Sequence, residues 1–147
     1  MKRLVCSAVF LMFALPVLAQ GPQGFVGFWK SDPGTPTMTR KLVFKDNVID
    51  MTELQPGRNG GPQMTILREY PTDGNTVTMT AGMWAGATAT GKMEGNVLSV
   101  DTTMKNGTKF HDDWTLSKDG KQYTDHMVIN RGGGPPRTVN FSFTKQD

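Results

Sequence analysis

The chain reads as an all-β protein, an up-and-down antiparallel β-barrel of about eight to ten strands. Three observations predict this. Residues alternate with period two over most of the sequence, as in Tyr123, Asp125, Met127 and Ile129 against Thr124, His126 and Val128. The alternating runs are separated by short turn signals, among them Lys45-Asp46-Asn47, Asp73-Gly74-Asn75, Glu94-Gly95-Asn96, Asn106-Gly107 and Asp119-Gly120. No segment after Gln20 has the pattern of a helix.

The first element is not expected to belong to the fold. Lys2-Arg3 precede an apolar run over residues 4–15, Pro16 breaks it, and Val17-Leu18-Ala19 offers small residues before Gln20. This predicts a signal peptide over 1–19, export to the periplasm or the medium, and one mature domain over 20–147. The apolar run is too short to span a bilayer comfortably, so no membrane span is expected in the mature protein. Cys6 is the only cysteine and lies in that run, which excludes disulfides, thiolate metal sites and cysteine nucleophiles from the mature chain. Without Lys2 and Arg3 the formal net charge falls from +3 to about +1. A nearly neutral chain has no general electrostatic reason to bind nucleic acid or an acidic membrane.

Strands are expected at 26–31, 38–45, 48–55, 63–70, 75–81, 85–93, 96–104, 109–117, 121–130 and 137–145. Phe110, Asp112, Trp114 and Leu116 share one face of the eighth. Val139, Phe141 and Phe143 share one face of the tenth. One apolar and one polar face per strand marks a sheet packed on one side. Closing the sheet removes the two free edges that would otherwise invite pairing with other chains. Successive turns of a meander alternate between its ends. The short turns at 46–47, 73–75, 94–96 and 118–120 then fall at one end. The connections at 32–37, 56–62, 82–84, 105–108 and 131–136 fall at the other. The barrel should have a closed end and a mouth of Gly/Pro-rich loops, where binding residues concentrate. This parity depends on a turn at Gly82-Met83-Trp84.

Gly27-Phe28-Trp29, placed at the start of the first strand, resembles the Gly-x-Trp signature of lipocalins and their calycin relatives. With Trp114-Thr115-Leu116-Ser117-Lys118-Asp119-Gly120-Lys121, the pattern looks like that of small exported bacterial lipocalin-like proteins. The resemblance implies that Trp29 packs across the closed end near a basic side chain, for which Arg137 and Lys145 are the candidates. Arg68-Glu69-Tyr70 resembles the interior Arg-x-Tyr arrangement by which fatty-acid-binding barrels hold a carboxylate. The chain departs from these families in having no Thr-Asp-Tyr motif, no C-terminal helix and no helical lid between the first two strands.

The candidate binding residues are Arg68, Tyr70, Trp84, Asp112, Trp114 and Asp125. Arg68 shares a face with Met64, Ile66 and Tyr70, Asp112 with Phe110 and Trp114, and Asp125 with Tyr123 and Met127. A buried charge must be paired or bonded, so these side chains either anchor a polar ligand head or satisfy one another in an internal salt-bridge network. Trp84, flanked by Gly82, Ala85, Gly86, Ala87 and Ala89, either stacks on a ligand at the mouth or plugs it. Eight of the ten methionines follow Gln20 and would line a soft apolar cavity or fill the core. Their dispersal over many strands argues against a copper site. His111, with Asp112, Asp113 and His126, could ligate a divalent ion, although solvated surface positions account for them more simply. Arg58 and Arg131 in the mouth loops could capture anions. No nucleophile elbow, phosphate loop or cofactor motif is present. The expected function is binding of a small hydrophobic or amphipathic molecule. The alternatives are a lipocalin-like enzyme using Asp112 and Asp125 as acid and base, and an envelope interaction module acting through the Gly/Pro loops.

Overall fold

The computed structural model describes residues 21–34 and 36–147. The expected signal peptide over 1–19 lies outside the described residues. Ten strands follow in order: β1 (Gly27–Ser31), β2 (Thr39–Lys45), β3 (Val48–Gln55), β4 (Met64–Pro71), β5 (Asp73–Thr78), β6 (Thr88–Glu94), β7 (Val97–Thr103), β8 (Lys109–Leu116), β9 (Gln122–Asn130) and β10 (Arg137–Gln146). They form one antiparallel sheet in the order β4-β3-β2-β1-β10-β9-β8-β7-β6-β5. The first strand pairs with the last, Trp29 opposite Lys145. The sheet is therefore a nearly closed up-and-down barrel, open in its hydrogen bonding only between β4 and β5.

That opening corrects the expectation of full closure. At the closed end Thr72 holds the two sides together: its N–H and its hydroxyl both donate to Asn47 O at 2.9 Å, and its own carbonyl accepts from Met93 N–H at 2.9 Å. Beyond Thr72 no ladder joins β4 to β5. The turn expected at Asp73-Gly74-Asn75 is likewise displaced. The chain reverses at Thr72, and 73–75 are absorbed into β5 as a register shift in its pairing with β6. The Asp73 carboxylate accepts from Asn75 N–H at 3.0 Å, a local turn inside a strand.

Strand β4 abuts β6 directly where β5 departs. A Cβ on Gly91 would lie 2.3 Å from Pro71 O and 2.6 Å from Val100 Cγ2. Two backbones meet there because one has no side chain. Gly91→Val is expected to destabilise the fold by about 1–3 kcal/mol, the usual cost of overpacking, as read from urea denaturation. A variant as stable as the wild type would show that the seam can widen freely.

The hairpin beside Trp84 is present. Residues 79–87 connect β5 to β6 through a 3-10 turn at Gly82–Trp84. Met79 N–H donates to Ala87 O at 2.9 Å and Gly86 N–H to Met79 O at 2.8 Å. The parity of the meander therefore stands. The loops before β2, β4, β6, β8 and β10 gather at the mouth, and the short turns gather at the other end.

The closed end is filled by aromatic rings. A 3-10 turn at Pro22–Phe25 inserts Phe25 under the barrel, 5.8 Å from the ring of Trp114 and 5.7 Å from that of Tyr123. Trp29 Nε1–H donates to Phe25 O at 2.7 Å. Lys145 stands 5.2 Å over the Trp29 ring and supplies the expected basic neighbour, while Arg137 lies at the mouth. Gly27, at φ +136°, lets Lys145 lie this close, because a Cβ there would meet Lys145 Cε at 2.9 Å.

Candidate functional site

Alternation along the strands turns the candidate charges inward, and the register brings them into two ion-paired groups. On β4, Arg68 lies between Ile66 and Tyr70 on the inner face. Its Nη2 donates to Asp112 of β8 across the barrel at 2.6 Å. The guanidinium lies 4.2 Å from the Trp84 ring and 4.6 Å from that of Tyr70. On β2, Arg40 donates through Nε to Glu53 of β3 at 2.5 Å, and through Nη1 to Asp125 of β9 at 2.8 Å and Tyr123 Oη at 3.0 Å. It also lies 4.1 Å from the Phe143 ring. Glu53 Oε1 accepts from Gln55, so both its oxygens are engaged. Asp112 and Asp125 are fully buried, and Arg40, Glu53 and Arg68 nearly so.

All six candidates are thus interior, at two levels. Arg68 and Trp84 line a cavity of about 320 Å³ at the mouth, together with Met38, Arg40, Glu53, Ile66, Met127, Ile129, Arg137, Val139 and Phe141. Tyr70, Asp112, Trp114 and Asp125 are not among its lining residues and sit nearer the closed end, where Trp114 packs 4.4 Å from Tyr70 and 5.3 Å from Tyr123. Trp84 meets Phe110 edge-on at 4.7 Å and is also one of the residues that line the cavity. Arg40 and Glu53 were not singled out by the sequence reading. The available signal was their place in the alternating runs Met38, Arg40, Leu42 and Ile49, Met51, Glu53.

Among the described residues the interior holds two guanidiniums and three carboxylates. Burial alone would push Arg40 toward neutrality, but Tyr123, Asp125 and Glu53 outweigh it and hold Arg40 well above its ordinary range. Arg68 is likewise raised, burial being outweighed by Asp112 and Tyr70. Burial raises the phenols of Tyr70 and Tyr123. Asp125 is pushed up to about 6 from an ordinary 3.8, first by burial, against which Arg40 pulls down and the charge on Asp112 adds. Burial dominates because the carboxylate is removed from water, and Arg40, which Asp125 shares with Glu53, offsets only part of that cost. Between these two values the folded protein binds more protons than the unfolded chain. The stabilisation from protonated Asp125 is therefore complete below about pH 4 and lost as pH rises through about 6. Urea denaturation should show the stability of the wild type falling relative to Asp125→Asn from about pH 4 to about pH 7. A constant difference would place Asp125 in an ordinary ionised pair.

Several buried polar atoms lack a hydrogen-bond partner, among them Arg68 Nε, Tyr70 Oη, Trp84 Nε1, Asp112 Oδ1, Trp114 Nε1 and Asp125 Oδ1. Such groups are costly unless something occupies the space beside them. At the mouth cavity the unused atoms are donors, the N–H groups of Arg68 and Trp84.

The other candidate chemistries separate in space. Asp112 faces inward while His111 faces outward between Asp101 (2.8 Å) and Asp113 (3.2 Å), and His126 bonds Asn140. Among the described residues no group of three or more potential His, Cys, Asp or Glu ligands is placed to hold a metal ion. Met38 and Met51 both reach the cavity, but the register sets Arg40 opposite Glu53 and Leu42 opposite Met51, which puts the two thioethers at different heights. Among the described residues no helix is long and apolar enough to cross a membrane.

Neither protein-family models nor curated proteins include a match to this chain. Solved structures do match. A secretory abundant heat soluble protein of Ramazzottius varieornatus is 10% identical with a TM-score of 0.60, covering 84% of this chain and 96% of that one. Lipid binding protein 8 of Caenorhabditis elegans, in its apo form, is 7% identical with a TM-score of 0.60, over 84% and 96%. The zebrafish ileal bile acid-binding protein, complexed with cholic acid, is 14% identical with a TM-score of 0.55, over 84% and 99%. At these identities the likeness is one of architecture. Ten antiparallel strands, paired first to last and parted between β4 and β5, give this chain the calycin-type β-barrel fold of the fatty-acid-binding kind.

Proposed function

We propose that this protein is an exported binding protein, periplasmic or extracellular, that holds a small amphipathic molecule in the mouth cavity. The apolar part lies against Met38, Ile66, Ile129, Val139 and Phe141, and a head bearing hydrogen-bond acceptors meets Arg68 and Trp84. The observation that carries this reading is that Arg68 and Trp84, which line a cavity of mixed apolar and polar walls, each carry a buried donor without a partner, Arg68 Nε and Trp84 Nε1. The cavity's 320 Å³ lies at the small end of ligand pockets, which favours a compact molecule over a long chain. That lipid- and bile-acid-binding proteins share the architecture supports a hydrophobic ligand. The acid–base alternative is less favoured. Asp112 and Asp125 are each engaged by a different arginine and do not line the cavity.

The test uses residues 20–147, which contain the whole barrel, and two fluorescent probes with similar rings. Anionic 1-anilinonaphthalene-8-sulfonate should bind saturably at one site, and neutral N-phenyl-1-naphthylamine about tenfold more weakly, as expected for losing charge-assisted hydrogen bonds. Ile129→Trp, which fills the cavity from β9, should abolish both. Equal affinity for the probes would overturn the head-group assignment. Absence of saturable binding by a folded protein, with no small molecule co-purifying in native mass spectrometry, would overturn the binding function.

A further inference from the structure

A near-neutral composition argues against attraction to an acidic membrane, but composition has no direction and the fold gives it one. At the closed end the exposed charges balance: Lys45 lies 3.8 Å from Asp46 and Lys92 lies 2.7 Å from Glu94, while Lys118 and Lys121 share a turn with Asp119 and Asp73 begins β5. At the mouth the balance is lost. Lys105 and Arg131 stand in its loops, and Lys109 and Arg137 begin the strands that leave it. All four are exposed, and none stands in an ion pair among the described residues. The acidic residue of the described mouth loops is Asp32, part-buried beside β10, where it accepts from Thr144, and on the strands nearby exposed Asp101 of β7 is engaged by His111 at 2.8 Å. The barrel is thus polarised along its axis, cationic at the mouth.

The same end presents apolar surface. Met83, at the tip of the connection between β5 and β6, is 62% exposed. Beside it lies a recess of about 190 Å³ walled by Met83, Trp84, Ala85, Ala87 and Met104, with Lys105 on its edge. An apolar notch edged by a lysine suits an acyl chain below a negatively charged headgroup. A soluble acidic partner would use the cations but not Met83.

We propose that the mouth end docks on an anionic lipid surface, with Lys105, Lys109, Arg131 and Arg137 against the headgroups and Met83 entering the apolar layer. The docking does not depend on the cavity holding a ligand. It would bring the cavity's opening to the surface from which an amphipathic molecule is drawn.

The experiment is flotation of residues 20–147 with vesicles of equimolar phosphatidylglycerol and phosphatidylcholine, and with phosphatidylcholine alone. Binding is expected to the anionic vesicles and to be lost at about 1 M salt, where screening acts over about 3 Å. Lys105→Glu with Arg131→Glu should weaken it by about tenfold or more. Lys45→Glu with Lys121→Glu, the same change of net charge at the closed end, should alter it by less than about twofold. Met83→Ser should weaken vesicle binding severalfold and leave binding to soluble dextran sulfate unchanged. Equal losses from the two double variants would overturn the proposal, since net charge alone would then suffice. So would failure to bind anionic vesicles. Indifference of vesicle binding to Met83→Ser would also overturn it, in favour of a soluble acidic partner.

Discussion

Arg40→Met is expected to cost this protein about 3–5 kcal/mol, a large share of the roughly 5–15 kcal/mol that stabilises a domain. Among the described residues the guanidinium is the one cation within hydrogen-bonding distance of Glu53 and Asp125, and removing it strands two buried carboxylates together. Methionine keeps an unbranched apolar stem but gives up the guanidinium's contact with the Phe143 ring, so most of the loss reports the charge and a smaller part that contact. Urea denaturation at neutral pH should show a marginally folded or unfolded protein. Because the stranded carboxylates can take up protons, the deficit should shrink as the pH is lowered. Adding Glu53→Leu and Asp125→Leu should recover most of the stability, since an apolar set of similar volume is often as stable as the ion pairs it replaces. A cost below about 1 kcal/mol for Arg40→Met alone would show that the interior is open enough to water for the carboxylates to be solvated.

Trp84 is where loss of stability and loss of binding can be separated. Trp84→Ala removes the ring over Arg68 and the edge contact with Phe110, and is expected to cost about 3 kcal/mol, toward the lower end for a buried tryptophan because one side faces the cavity. It should also weaken binding of the anionic probe severely, by widening the cavity and wetting the Arg68 head site. Trp84→Phe keeps a ring over the guanidinium and removes the indole N–H. It should remain within about 1 kcal/mol of wild-type stability while weakening the anionic probe about tenfold and the neutral probe much less. Thermal denaturation and fluorescence titration on the same samples read both effects. Unchanged binding by Trp84→Phe would remove Nε1 from the site and leave Arg68 Nε as the remaining buried, unpartnered donor among the cavity's lining residues.

Much of the fold was legible because period-two alternation and turn chemistry are local. Tyr123, Asp125 and Met127 alternate with solvent-facing Thr124 and His126 whatever the rest of the chain does. Asn47 and Gly95 stand in turns at positive φ, as their residue types favour. The burial of Arg68, Asp112 and Asp125 followed from the same alternation. Their partners did not. Arg40 is 85 residues from Asp125, and Arg68 is 44 residues from Asp112. Nothing local in either pair announces the other, and the curvature that faces β2 to β9 and β4 to β8 is a property of the whole sheet. The turn signal at Asp73-Gly74-Asn75 misled for the converse reason. Its chemistry is real, and Asp73 does bond to Asn75, but Thr72's bonds to Asn47 and Met93 decide where the chain reverses.

The Gly-Phe-Trp opening, the alternating strands and the unequal turns suffice to determine an antiparallel barrel with a closed end, a mouth and charged residues on inward faces. All of these are set by side-chain periodicity and backbone preference within a few residues. Tertiary structure alone decided that the barrel stays open between β4 and β5, because Gly91 lets β6 meet Pro71 while β5 is displaced. It alone decided that two arginines are set against three carboxylates, and that the mouth carries unpaired cations beside Met83 while charges at the closed end cancel. Such facts depend on distances between segments remote in sequence, and electrostatics depends on distance, not composition.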